Sequence, residues 1–178
     1  MNAFERLGLE ERLELSEEEV REAFRKTAAA EHPDSGGDEL VFAEIQAAQE
    51  ILLSSSKRLK EWVRAKGLPV QERGQIDGGL IELFEKVSQT GAEAESLIKE
   101  NEKAQSALVR AMVEVKLMKA REKLTQIIRE IGSAIKLREE VFSEIERGDR
   151  DAGEIMRDLA FLEKWNLTLK SLYARLLL

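Results

Sequence analysis

The sequence predicts an all-α chain in two parts, a short-helix hairpin followed by an antiparallel helical bundle. Three observations carry this. Ala, Glu, Leu, Lys and Arg dominate the 178 residues, and these are strong helix formers. Apolar residues recur at three- and four-residue spacing through most of the chain. Its two prolines lie at positions 33 and 69, where the helical pattern stops.

The first part opens with Asn2, a helix cap before Phe4 and Leu7, and stops at Gly8. Ser16-Glu17-Glu18-Glu19 is a capping box, in which the serine oxygen and the third-position carboxylate satisfy each other's backbone N–H groups. Val20, Phe24, Thr27 and Ala28 then share one helix face. Pro33 lacks an N–H and disfavours helical geometry at the residue before it, so this helix ends near Glu31. Gly36 and Gly37 turn the chain. Asp38 caps a second helix with Phe42, Ile45, Ala48 and Leu52 on its apolar face. Ser54-Ser55-Ser56 ends it, and a short helix follows through Lys57, Arg58, Leu59, Trp62 and Val63. His32-Pro33-Asp34 is thereby placed at the exposed tip of an antiparallel hairpin, and His32 is the sole histidine.

Residues 67–78, rich in Gly, Pro and polar residues, read as a linker between domains at 1–66 and 79–178. Beyond it, Leu80, Phe84 and Val87 fall on one helix face, with Ile81 and Glu85 on a neighbouring one. Periodicity alone allows these apolar residues to be bundle core. Thr90-Gly91 is the expected end of that helix. From Ala92 to Arg147 the only weak break is Gly132-Ser133, and an unbroken helix of that length would span about 84 Å. Gly148-Asp149-Arg150-Asp151 turns the chain into a last helix over roughly 152–177. That helix would cover only part of the long one. The uncovered stripe is the kind of surface that pairs with a second copy, so a homodimer through the C-terminal helices is one expectation.

Composition excludes several functions. With no cysteine and one histidine, the chain cannot assemble a usual zinc site or hold an iron–sulfur cluster through its own thiolates. No metal or cofactor is expected. Residues 1–67 carry 10 Lys+Arg against 15 Asp+Glu and residues 68–178 carry 18 against 20, so neither part has the basic excess of a nucleic-acid binder. The cluster Lys116, Lys119, Arg121 and Lys123 reads as a solvated face. No apolar run reaches the roughly 20 residues of a membrane span. The start of the chain lacks a basic, apolar secretory signal, so no membrane association and a cytoplasmic location are expected. There is no nucleophile–base pair and no phosphate loop, so an adaptor is expected rather than an enzyme.

The hairpin resembles the J-domain, the module through which co-chaperones stimulate a DnaK-type ATPase. The resemblance rests on His32-Pro33-Asp34, on Phe42, Ile45, Ala48 and Leu52 after the loop, on Lys57-Arg58, and on the opening Phe4-x-x-Leu7-Gly8-Leu9. It implies that His32, Pro33 and Asp34 contact the chaperone. It also implies that Arg21, Arg25 and Lys26 form the basic face docking on it. The chain has Ala30-Glu31 where family members usually carry Tyr before the His, and Ser35 where Lys or Arg is common.

The second part is similar to HscB-type iron–sulfur co-chaperones. Asp77-Gly78-Gly79-Leu80-Ile81-Glu82-Leu83-Phe84-Glu85 resembles the segment that opens their C-terminal domain, and Met156 to Lys164 resembles their closing motif. This implies a DnaK- or HscA-type chaperone partner. It also implies an IscU-type scaffold protein as client, bound through Leu80, Ile81, Phe84, Glu85 and Phe161. After Glu85 the family's acidic continuation is replaced by Lys86-Val87-Ser88-Gln89. Two other readings stand beside this one. One is a J-domain co-chaperone for a different client. The other is a structural coiled-coil protein with a degenerate J-domain.

Overall fold

Asn2 opens the first helix as expected, and Glu5 completes a capping box there: the two side chains accept from each other's backbone N–H groups at 2.9 Å. The structure is a computed structural model describing residues 1–32, 34, 36–69, 74 and 78–177. Its described residues form helices only: α1 (Ala3–Leu7), α2 (Glu17–Ala30), α3 (Glu39–Leu53), α4 (Ser55–Ala65), α5 (Gly78–Glu102), α6 (Ala107–Glu139), α7 (Phe142–Glu146) and α8 (Ala152–Arg175). None of these helices is long and apolar enough to cross a membrane.

The chain divides into two compact units that do not follow chain order. One comprises Met1–Gly74 with Leu137–Ala160, the other Gln75–Lys136 with Phe161–Leu178. The expected single domain over 79–178 is therefore split, because residues 137–160 have their buried partners in the first unit. Residues 70–73 and 75–77 of the expected linker lie outside the described residues.

In the first unit, Ser16 and Glu19 form the expected box at the start of α2. Asp38 accepts from the N–H groups of Leu40 and Val41 at the start of α3. Ser54 both ends α3 and caps α4 through the Lys57 N–H. Helices α1 and α2 pack on α3, and α3 on α4, around Phe4, Leu13, Val20, Ile45, Leu52 and Leu59. Phe142 and Ile145 of α7 are buried. Arg58 ties this segment down. Its guanidinium donates to the Leu52 carbonyl at 2.8 Å, lies 3.6 Å from Glu139 and sits 5.8 Å from the centre of the Phe142 ring. Glu139 also accepts from the Ser55 hydroxyl, and Glu146 from the Leu13 N–H.

The Ser16–Glu19 box makes acid sensitivity calculable in sign. Hydrogen bonds from the Ser16 N–H and hydroxyl hold the Glu19 carboxyl below the usual carboxylate range. A depressed folded pKa contributes stability above the unfolded value of about 4.3 and loses it as pH falls through the folded value. Acid titration from pH 6 to 3, followed by helix ellipticity, is expected to weaken α2 in the wild type. Glu19→Gln, which removes the titrating carboxyl while keeping an oxygen to accept from the Ser16 N–H, should reduce that response. An unchanged acid response in the variant would contradict the assignment.

In the second unit, α5 runs through Thr90-Gly91 instead of ending there. Leu80, Leu83, Val87, Thr90, Ala94 and Ile98 form one continuous buried stripe, so packing carries the helix past a lone glycine. The expected 56-residue helix from 92 to 147 is also absent. The chain turns at 103–106, where Ser106 accepts from the Val109 N–H and Arg110 donates to the Ala104 carbonyl. It breaks again at Glu140-Val141. Gly132 lies inside α6, so the one break the sequence signalled there is not a break.

Helices α5 and α6 are antiparallel, as three ion pairs show: Lys86–Glu130, Glu93–Lys123 and Glu100–Lys116 at 2.7–3.1 Å. Each step advances seven residues on α5 and retreats seven on α6. Val113, Leu117, Leu124 and Ile131 of α6 meet the α5 stripe together with Leu162, Leu169, Leu172 and Leu176. The stripe left uncovered is short. It consists of Leu108, Val115 and Met118, opposite the core face of α6 at 100° per residue, with Met112 on the flank.

Candidate functional site

The first candidate is the α2–α3 loop. Helix α2 stops at Ala30, with Glu31 already out of helical geometry. Gly36 takes a positive φ of 86°. At Gly37 a Cβ would run into the Glu31 backbone carbonyl, so the loop closes only with glycine there. The Gly37 N–H donates to the His32 carbonyl at 3.1 Å. The loop therefore fixes the backbone of His32 while its side chain stays partly exposed. The imidazole meets the Phe42 ring edge-on at 5.1 Å. Its Nδ1 accepts from the Asp34 N–H at 3.2 Å and lies 3.6 Å from the Asp34 carboxylate. Phe42, expected in the core, is only half-buried and serves as the support for His32. Pro33 lies outside the described residues, as does Ser35.

Arg21, Arg25 and Lys26 are all exposed on α2. Arg21 pairs with Glu17 at 3.3 Å, and Arg25 pairs with Glu18 at 3.1 Å. Both pairs are solvent-exposed, so each is worth about 1 kcal/mol or less and is readily exchanged for a partner's carboxylate.

The second candidate lies in the second unit. Ile81 and Phe84 are half exposed, and Phe161 is 39% exposed. Glu85 is exposed beside them. Leu80, expected on this face, lies instead in the core. It is 1% exposed and packs in the bundle core with Leu83 and Val87, because the core stripe of α5 runs through 80, 83 and 87 and turns 81 and 84 outward. Leu80 supports this face from beneath and cannot touch a partner. The sequence reading also missed Trp165. Its ring centre lies 5.6 Å from that of Phe84 and 6.0 Å from that of Phe161. The i, i+4 spacing of Phe161 and Trp165 on α8 was the available signal.

These geometries can be set beside known proteins. The DnaJ domain family model matches residues 2–60. Chaperone HscB from Vibrio cholerae shares the fold, with a TM-score of 0.55 over 96% of each chain at 19% sequence identity. No curated protein matches the chain in sequence. The family match covers the capped helices, the loop and the start of α4, which are the elements that present His32. Residues 2–60 are thus similar to the DnaJ domain, at the N-terminus of an all-α fold shared with chaperone HscB.

Proposed function

We propose that this protein is a J-domain co-chaperone of iron–sulfur cluster assembly. His32, Pro33 and Asp34 stimulate a DnaK- or HscA-type ATPase, and Arg21, Arg25 and Lys26 dock on that chaperone. The second unit delivers an IscU-type scaffold protein through Ile81, Phe84, Glu85 and Phe161. The observation that carries the client half is the outward turn of Ile81 and Phe84 from a helix whose core stripe is otherwise filled. Exposed large apolar side chains clustered on one face mark an interaction surface.

Calorimetric titration of the host's IscU-type scaffold into the full chain tests it. Ile81→Lys is expected to weaken binding by about 30-fold or more, as loss of an interface anchor does. Wild-type failure to bind would remove the scaffold as client. A J-domain co-chaperone for another client is the second reading, favoured by Lys86-Val87-Ser88-Gln89 in place of an acidic row. Pairing of two copies through Leu108, Met112, Val115 and Met118 completes the proposal. Sedimentation equilibrium giving only monomer mass at about 100 μM, well above the range of a specific dimer, would remove that part.

A further inference from the structure

Trp165 lies at the centre of an aromatic trio in the second unit and is of intermediate exposure. It is partly buried against the core of the second unit, and its ring bridges Phe161, one turn earlier on α8, and Phe84 on α5. The Phe161 ring is stacked on it at 28° and the Phe84 ring tilted at 38°. A ring fixed in this way loses little conformational freedom when a partner covers it.

Beside the rings, Glu85 on α5 and Lys164 on α8 are exposed. After Glu85, Lys86 is engaged with Glu130 at 3.1 Å, Val87 is in the core, and Gln89 donates to Glu93 at 3.3 Å. No row of free carboxylates continues along α5. One exposed ion pair changes affinity by less than about fivefold, whereas truncating a central aromatic anchor changes it by about 30-fold or more.

We infer that Trp165 is the principal client anchor of this face. The occupant is an apolar segment of the client protein, flanked by a basic side chain that meets Glu85, and ring contact supplies most of the affinity. This rests on the reading of the face as the client-docking surface.

The test uses the full chain and the host's apo IscU-type scaffold. Trp165→Leu is expected to weaken binding by about 30-fold or more, and Trp165→Phe, which keeps a ring, by less than about fivefold. Glu85→Gln should also cost less than about fivefold. ATPase stimulation without scaffold should be unchanged in all three, and unchanged helix ellipticity and melting confirm that the second unit is folded. A second readout needs no variant. With 5-fluorotryptophan incorporated, the protein shows two fluorine resonances, from Trp62 and Trp165. Scaffold should move the Trp165 resonance and leave that of Trp62, which is buried in the first unit. Wild-type affinity in Trp165→Leu, or an unmoved Trp165 resonance, with binding still abolished by Phe84→Ala, overturns the anchor and leaves the docking face standing. No binding by the wild type overturns both.

Discussion

His32→Gln is expected to abolish stimulation of the DnaK-type ATPase while leaving the protein folded. The two consequences separate because His32 contributes little to the fold. Its ring makes one edge contact with Phe42 and accepts one hydrogen bond from the Asp34 N–H. Losing them costs about 1 kcal/mol, which moves the melting temperature by only a few degrees. Gln keeps hydrogen-bonding capacity but not the flat ring supported by Phe42. If His32 is an interface anchor, its loss weakens the productive complex by about 30-fold or more. Steady-state ATPase across a co-chaperone titration, with circular dichroism as the folding control, reads both effects. Equal stimulation by variant and wild type would contradict the placement of the active tip.

Phe142→Ala is expected to cost the first unit about 3–5 kcal/mol, the range for truncating a fully buried phenylalanine. The effect should reach the DnaJ-domain residues, although 142 lies some eighty residues beyond them. Phe142 is 1% exposed in the first unit, and its loss leaves the buried Arg58 guanidinium without its ring partner. Trp62, whose indole donates to the Glu11 carbonyl at 3.1 Å, reports on that unit. In a Trp165→Phe background its fluorescence should lose denaturant resistance with Phe142→Ala. Leu167→Ala, at an exposed position, should stay within about 0.5 kcal/mol. An unmoved Trp62 transition would mean that residues 1–74 fold without the 137–160 segment.

The sequence was most legible where structure is decided by neighbours. Asn2, Ser16 and Asp38 each cap the helix they were expected to cap, because a capping oxygen and its target N–H groups lie within three residues. The positions of His32 and Asp34 follow from the helices that bracket them. Legibility fell where the deciding partner is distant. Thr90-Gly91 reads as a stop by local chemistry, yet Leu172 Cδ1 lies only 3.6 Å from where a Cβ on Gly91 would be, and packing on that leucine's helix carries α5 through. The turn at 103–106 contains neither Gly nor Pro, and its cap, Ser106, stands in a stretch that reads as continuous helix. The split of 79–178 depends on Arg58 reaching Glu139 and Phe142, residues that no local pattern links. Leu80 and Phe84 share a helical repeat, so spacing could not tell which one the core would take. Trp165 gained its role only when α8 was laid beside α5.

The most direct test of the central claim is single-turnover ATP hydrolysis by the host's DnaK- or HscA-type chaperone with this protein, in the presence and absence of the IscU-type scaffold. Acceleration by the protein alone, increased synergistically by scaffold and lost with His32→Gln, is the predicted result. No acceleration by any host chaperone of this class, with or without scaffold, would contradict the co-chaperone account.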